Sequence, residues 1–338
     1  MIRILLSPLG MIYWLVVAIR NFCYDSGLVK SHKLNGRTIS VGNIGAGGTG
    51  KSPIVESICQ HLISEGFRPA VLTRGYKSGL SRYEHVVLLG NLVVLKNSQS
   101  QFHGDEPRML ANALPTVPIV VGANRVEAAK AFLESDTVYL PTHWLLDDGF
   151  QHRQIYRDFD LVLLDSKNPF AGGLMPWGRL REPVSALKRA TCVLFTRPQA
   201  KFPTSKTKNR VSNLCKVSFE VPFVSKYLTC IDKTTIYKAL DHSPALLVAG
   251  IENPAKIIDT INEIQIEIAD SYFVGDHKRL DREIIVEKSA GLSAIVTTAK
   301  DYWRDPDLFA GLPQTVFVLS LIAEVPHDAM QLVLGIGK

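Results

Sequence analysis

The sequence predicts an α/β protein. We expect a P-loop NTPase-like, doubly wound, mostly parallel sheet, a second smaller α/β domain, and an N-terminal membrane-associated helix. Three observations predict this. Short continuous apolar runs alternate with helical stretches, as in a parallel sheet covered on both faces. One such run leads directly into Gly45-Ala46-Gly47-Gly48-Thr49-Gly50-Lys51-Ser52. The stretch 4–19 is apolar and lies between Arg3 and Arg20.

The 338 residues leave room for about two domains. A 46% hydrophobic and 21% charged composition is that of a globular chain, which excludes disordered, collagen-like and coiled-coil classes. The net charge of +6 suits an anionic partner, but no Lys/Arg block marks a nucleic-acid arm, so no nucleic acid is expected. Cys23, Cys59, Cys192, Cys215 and Cys230 are dispersed, with no C-x-x-C pair. That argues against a disulfide framework or a zinc site and for a reducing compartment.

The apolar stretch 4–19 is shorter than the ~20 residues a spanning helix needs, and Pro8 and Gly10 weaken its start. No small-x-small cleavage site follows it. Arg3, Arg20, Lys30, Lys33 and Arg37 against Asp25 give the first 40 residues a charge of +4. An apolar helix plus basic charge makes two attachment signals, so a surface-bound helix is expected. A helix packed on the core and a true span are the alternatives.

Strands are expected at Thr38–Gly42, Pro69–Thr73, Pro118–Val121, Trp144–Leu146, Leu161–Asp165 and Cys192–Thr196, with helices at Lys51–Glu65 and Arg125–Glu134. Two β-like runs, Lys216–Val224 and Tyr227–Ile231, form a ribbon or lead into a second part. That part holds strands at Ala245–Gly250, Ala294–Thr298 and Thr315–Leu319 and a helix at Pro254–Ile264. The expected organisation is a helix segment 1–30, a P-loop domain 31–215, a linker 216–232 and a C-terminal α/β domain 233–338.

The strand–loop–helix setting of G-x-x-x-x-G-K-S has a physical reason. Glycines let consecutive N–H groups turn toward phosphate oxygens, and the helix N-terminus adds its positive end. Gly45 to Ser52 are therefore the nucleotide-binding candidates, with Lys51 on the β/γ-phosphates and Ser52 on Mg2+. A second acidic group is expected at another strand end. Asp147 and Asp148 are preferred, with Asp165 as a rival that could equally cap a loop.

Five motifs in order complete the pattern: Val41–Pro53, Thr73–Tyr76 (T-R-G-Y), Gly104–Pro107 (G-D-E-P), Asp147–His152 (D-D-G-F-Q-H) and Gly178–Pro183 (G-R-L-R-E-P). Gly275–His277 and Val296–Asp301 add two looser ones. With these motifs the chain resembles the tetraacyldisaccharide 4′-kinase family of the lipid A pathway along nearly its whole length. The resemblance implies transfer of the ATP γ-phosphate to the 4′-hydroxyl of a tetraacyldisaccharide 1-phosphate, giving lipid IVA. It implies ATP and Mg2+ as cofactors, and an enzyme at the cytoplasmic face of the bacterial inner membrane. Oligomeric state is left open. Ser52 stands where the family often has Thr, Lys278 follows a single His277, and Ala299 replaces a usual Glu.

Residue by residue, the resemblance implies Asp105 as general base, paired with His277. Without it, Asp105 would read as a turn residue. Lys51 joins them as a catalytic residue. Glu106, Gln151 and His152 are implied on nucleotide or metal, and Asp147 and Asp148 on Mg2+. Arg181 is read on a phosphate, which its planar fork suits, with Glu182 orienting it. Arg74 and Tyr76 are candidates for substrate contact. Three other functions stay open: a membrane-surface P-loop ATPase switch, a soluble small-molecule kinase, and a non-enzymatic nucleotide-binding scaffold.

Overall fold

The computed structural model describes all residues except 1–6, 47–48, 77, 99–101, 103, 136–138, 197–201, 231–235, 238–243, 252–253, 255–256, 259–260, 263–265, 276–277 and 336–338. The chain divides into two compact units. Unit 1 holds Met1–Phe102, Leu110–Phe223 and Ala323–Lys338, and unit 2 holds His103–Met109 and Val224–Ile322.

Unit 1 is built on nine strands: β1 (Arg37–Asn43), β2 (Pro69–Thr73), β3 (His85–Leu89), β4 (Leu92–Asn97), β5 (Ile119–Gly122), β6 (His143–Asp147), β7 (Phe159–Asp165), β8 (Cys192–Thr196) and β9 (Ser218–Val221). Their order is β4-β3-β5-β2-β6-β1-β7-β8-β9. The pairs β5–β2, β2–β6, β6–β1, β1–β7, β7–β8 and β8–β9 are all parallel. The central strands are buried along nearly their whole length, which is why they read as unbroken apolar runs. Among the described residues of this sheet only the β3–β4 and β3–β5 pairs are antiparallel, β3 and β4 forming a hairpin at the sheet edge turned at Gly90-Asn91. Gly90 has φ 54° there, the positive φ that a two-residue hairpin turn requires.

Helices α1 (Ser7–Asp25), α2 (Lys51–Ser64), α3 (Asp105–Ala113) and α4 (Arg125–Glu134) come next in chain order. Pro8 falls in the first turn of α1, where a missing N–H costs nothing. No helix of the described residues is long and apolar enough to cross a membrane. The largest core cluster packs α2 (Ile54, Val55, Ile58, Leu62) with Ile39 and Val41 of β1. A second cluster centres on fully buried Trp144, whose Nε1 donates to the Asn35 carbonyl at 2.9 Å.

Unit 1 also takes up two segments that the sequence assigns elsewhere. Ser218–Val221 joins β8 as the last strand rather than forming a ribbon with the run that follows. Further on, the tail returns to unit 1. The last helix, α8 (His327–Leu334), buries Ala329, Met330, Val333 and Leu334 in the cluster that holds α2. Arg37 Nε donates to the Val333 carbonyl at 3.0 Å, where a cation suits a helix C-terminus. Apolar burial thus draws Ala323–Lys338 out of the 233–338 segment.

Unit 2 carries a six-stranded sheet: β10 (Phe223–Cys230), β11 (Ile236–Tyr237), β12 (Ala245–Gly250), β13 (Ile268–Val274), β14 (Ala294–Thr298) and β15 (Thr315–Ala323). Its order is β11-β10-β15-β14-β12-β13, with β12, β13, β14 and β15 pairing in parallel. Between α4 and α8 lie α5 (Ser205–Ser212), α6 (Arg282–Ser289) and α7 (Ala299–Arg304). Much of the helix expected at Pro254–Ile264 lies outside the described residues.

Candidate active site

Because β1, β2, β6 and β7 run parallel, Asn43, Thr73, Asp147 and Asp165 all fall at the same edge of the sheet. That carboxyl edge is where open α/β sheets bind ligands. The glycine-rich loop leaves β1 there and enters α2 at Gly50. Gly50 has φ 78°, and a Cβ on it would collide with the Phe223 ring, so both backbone and packing require glycine. The Thr49 hydroxyl accepts from Asn43 Nδ2 at 3.2 Å, tying the loop to its own strand. Lys51 and Ser52 are the first two residues of α2, at its positive end. Gly47 and Gly48 lie outside the described residues.

Two carboxylates follow β6. Asp147 is buried, and its Oδ2 accepts from the Thr73 hydroxyl at 3.1 Å. Its Oδ1 accepts no hydrogen bond among the described residues. Burial pushes the Asp147 carboxyl above the usual range, with Asp148 adding to the rise against Lys51, Arg125 and Thr73. Asp148 behaves oppositely. Burial alone would raise it, but Lys51, Arg181 and Arg125 together hold it below the usual range. Its Oδ1 lies 3.4 Å from Lys51 Nζ and its Oδ2 2.8 Å from Arg181 Nη1. Asp148 takes φ 49°, a left-handed turn stabilised where Arg125 Nη1 donates to its carbonyl at 3.3 Å. Gly149 is needed next, since a Cβ there would stand 2.6 Å from Leu146 Cβ.

The G-R-L-R-E-P segment lies along the glycine-rich loop. Ala46 N–H donates to Arg179 O at 2.6 Å, and Arg181 N–H donates to Ile44 O at 2.7 Å. This backbone pairing delivers the Arg181 side chain to Asp148. Glu182 turns the other way and is buried. Its carboxylate takes Arg189 Nη2 at 2.9 Å, Asn21 Nδ2 at 2.9 Å and Gln151 Nε2 at 3.1 Å. Asp148, not Glu182, is therefore the acidic partner of the Arg181 guanidinium. Gln151 Nε2 also donates to Asn43 O at 2.9 Å. His152 is held at about 3, by burial first and then by Arg125, Arg157, Arg20 and Arg74, so its imidazole is neutral near pH 7. Helix α1 closes the back of these loops: the Tyr13 hydroxyl donates to Arg181 O at 2.7 Å, and Arg20 Nη2 donates to Gln151 O.

Lys51, Ser52, Asp147, Asp148, Gln151, His152, Arg181 and Glu182 therefore all belong to unit 1, on elements that meet at this sheet edge. A buried strand-end carboxylate with an unpartnered oxygen, next to a helix that opens with a serine hydroxyl, is a hard oxygen donor set that fits Mg2+. No cluster of three His, Cys, Asp or Glu side chains suited to a metal occurs among the described residues. Asp165 caps a turn, its Oδ1 accepting from Lys167 N–H at 2.9 Å.

A family model described as LpxK, tetraacyldisaccharide-1-P 4′-kinase, matches residues 2–336. The chain belongs to this kinase family. A tetraacyldisaccharide 4′-kinase of Pelodictyon phaeoclathratiforme is 31% identical over 94% of this chain and 90% of its own. One from Elusimicrobium minutum is 34% identical over 96% of this chain and 88% of its own. The crystal structure of an "apo" form of LpxK from Aquifex aeolicus in complex with ATP shares the fold, with TM-score 0.79 at 24% identity over 99% of both chains.

Asp105 and Glu106 open α3 and belong to unit 2. His277 lies outside the described residues, and so does its expected pairing with Asp105. Arg74 and Tyr76 are exposed. Sequence reasoning missed Thr73 as a ligand of Asp147, Arg125 beneath Asp148, and Tyr13, Arg20 and Asn21 of α1. Thr73 opens the T-R-G-Y motif and so carried a signal; the others are single polar residues on helices, with no spacing to mark them.

Proposed function

We propose that the chain transfers the γ-phosphoryl group of ATP to the 4′-hydroxyl of a tetraacyldisaccharide 1-phosphate, producing lipid IVA for lipid A. The observation that carries this reading is the convergence of Lys51 and Arg181 on Asp148, with Asp147 alongside, at the glycine-rich entrance to α2. Family membership supports the kinase over an ATPase switch, and ATP in the Aquifex aeolicus relative supports the nucleotide.

Phosphoryl transfer needs positioning and charge stabilisation more than covalent help. Backbone N–H groups of the glycine-rich loop, other than that of Ala46, which donates to Arg179 O, and those at the start of α2 cradle the phosphates. Lys51 lies along the β/γ oxygens, and Arg181 presents a planar fork to the same charge. Asp147, Asp148 and the Ser52 hydroxyl would hold Mg2+, which would supply positive charge to neutralise the phosphates. Asp105 takes the proton of the 4′-hydroxyl as that oxygen bonds the γ-phosphorus and the bond to the ADP oxygen breaks. His277 and Glu106 support the base and the nucleotide. Gln151, His152 and Glu182 keep the loops in register around the phosphates.

The lipid is reached from a membrane surface. One face of α1 (Tyr13, Val17, Arg20, Asn21, Tyr24) turns inward, while Met11, Ile12, Leu15, Val16, Ile19 and Phe22 are exposed. We place the protein at the cytoplasmic face of the bacterial inner membrane, bound through that apolar face. The deciding experiment mixes purified protein in detergent with γ-labelled Mg-ATP and a tetraacyldisaccharide 1-phosphate. Label in the lipid, lost in Lys51→Ala and Asp105→Ala, is expected. Label in inorganic phosphate alone would return the reading to the switch.

A further inference from the structure

The V-T-T-A-K-D motif has no part in the reaction just described, yet its last residue is among the most deeply buried carboxylates in unit 2. Asp301 is 2% exposed. Its Oδ2 accepts from Gly250 N–H at 3.0 Å and from the Thr298 hydroxyl at 2.6 Å. Its Oδ1 accepts no hydrogen bond among the described residues; what faces it, 3.6 Å away, is Nη1 of Arg304. Arg304 lies one turn further along α7. Its Nε donates to Oδ2 of Asp105 at 3.2 Å, and its Nη1 reaches the Lys278 carbonyl at 3.5 Å. All of these residues belong to unit 2.

Each contact constrains the next. A buried carboxylate with one oxygen saturated is costly unless its other oxygen meets a cation. Arg304 supplies that cation, and its rigid fork leaves Nε aimed outward. Gly250 keeps the space open, since a Cβ there would stand 2.8 Å from Asp301 Oδ1 and 3.5 Å from Arg304 Nη1. Ala299, where the family usually has Glu, packs its methyl against the apolar cluster of Tyr302 and Phe309, so the residue that departs plays no part in this chain of contacts.

We infer that Arg304 is a positioning residue for phosphoryl transfer: anchored by Asp301 and by the Lys278 carbonyl, it holds the Asp105 carboxylate through Oδ2. The inference rests on reading Asp105 as the base. Arg304 touches no reacting atom. It acts by removing rotamers in which Asp105 turns away from the incoming hydroxyl.

The test is a double-mutant cycle on the full chain, using the labelled transfer assay with Arg304→Met, Arg304→Lys, Asp105→Asn and both combinations. Arg304→Met is expected to lower kcat by roughly 10- to 100-fold, as loss of an orienting partner does, with KM for Mg-ATP unchanged. Added guanidinium ion is expected to restore part of that rate, and Arg304→Lys to fall between. In the Asp105→Asn background the Arg304 changes are expected to add nothing further. Losses that multiply across the cycle, or a raised KM at constant kcat, would overturn the inference. If Arg304→Met does not fold, the same cycle run with Arg304→Lys gives the coupling. Full turnover in Asp105→Asn would sink the base reading itself, and is distinguishable because it needs no Arg304 variant.

Discussion

Arg181 Nη1 stands 2.8 Å from Oδ2 of Asp148. The contact joins the arginine loop to the strand-end acids. Both side chains are one-third exposed, so the pair stabilises the fold by only about 0–1 kcal/mol. A Lys at this position keeps the charge but not the two-pronged donor. Arg181→Lys is therefore expected to leave the urea midpoint nearly unchanged while raising KM for Mg-ATP by roughly 10-fold, the scale of one lost charge-assisted hydrogen bond. A variant that lost stability but kept its KM would place Arg181 in the scaffold.

Asp147 and Asp148 shift in opposite directions, and this gives a pH signature. The Asp147 carboxyl is raised above its ordinary 3.8. Without metal, its contribution to stability is fully present below that value and is lost as pH rises through the raised folded value. Mg2+ binds the ionised form, so its stabilising effect should grow across the same rise. Asp148 is lowered, so its contribution is present above 3.8 and is lost as pH falls through the lower folded value. Thermal unfolding with Mg2+ or EDTA, from about pH 2.5 to 8, is the measurement. Asp147→Asn is expected to be at least as stable as wild type in EDTA at pH 7, and to gain little from Mg2+. An unchanged Mg2+ response in that variant would remove Asp147 from the metal site.

Glu182 illustrates a site residue whose surroundings decide between two roles. Its side chain is 1% exposed and is engaged by Arg189, Asn21 and Gln151. Removing one member of a buried ionic group costs about 3–5 kcal/mol, because the stranded partners stay desolvated. Glu182→Ala should therefore lower stability by that amount in urea unfolding, with loss of activity following from loosened loops. A stable Glu182→Ala protein that failed only in nucleotide binding would instead make Glu182 a direct ligand.

How far the sequence reaches can be judged from particular elements. Pro69–Thr73, Cys192–Thr196, Ala245–Gly250 and Ala294–Thr298 are strands over the same residues in sequence and structure, because interior parallel strands are apolar without interruption. The β3–β4 hairpin passed unread although Gly90-Asn91 between two apolar runs is a turn signal. The return of α8 to unit 1 was not legible, since its apolar face fits either unit and only the assembled core selects one. At the site, motifs marked Lys51, Asp147, Asp148 and Arg181. They could not mark Arg125 or Arg304, lone cations whose meaning comes from burial beside carboxylates distant in sequence.

The outward face of α1 makes the membrane reading testable apart from catalysis. Ile12, Leu15, Ile19 and Phe22 are each more than half exposed, so replacing them with Ser removes no core contact. Such surface changes normally stay within about 0.5 kcal/mol of wild-type stability. In a bilayer interface each would contribute about 1.5 kcal/mol or more on burial, roughly tenfold in partitioning per residue. Lys30 and Lys33 lie just beyond the helix and add attraction to anionic lipid. Cosedimentation with phosphatidylglycerol vesicles is expected to fall steeply from wild type to the four-residue variant. Its unfolding midpoint should hold, and so should its turnover on detergent-dispersed lipid, because Tyr13, Arg20 and Asn21 still grip the site loops from the inner face. Undiminished vesicle binding would mean that the exposed stripe does not meet the membrane. A collapse of turnover in detergent at unchanged stability would mean that the same stripe receives the acyl chains of the substrate.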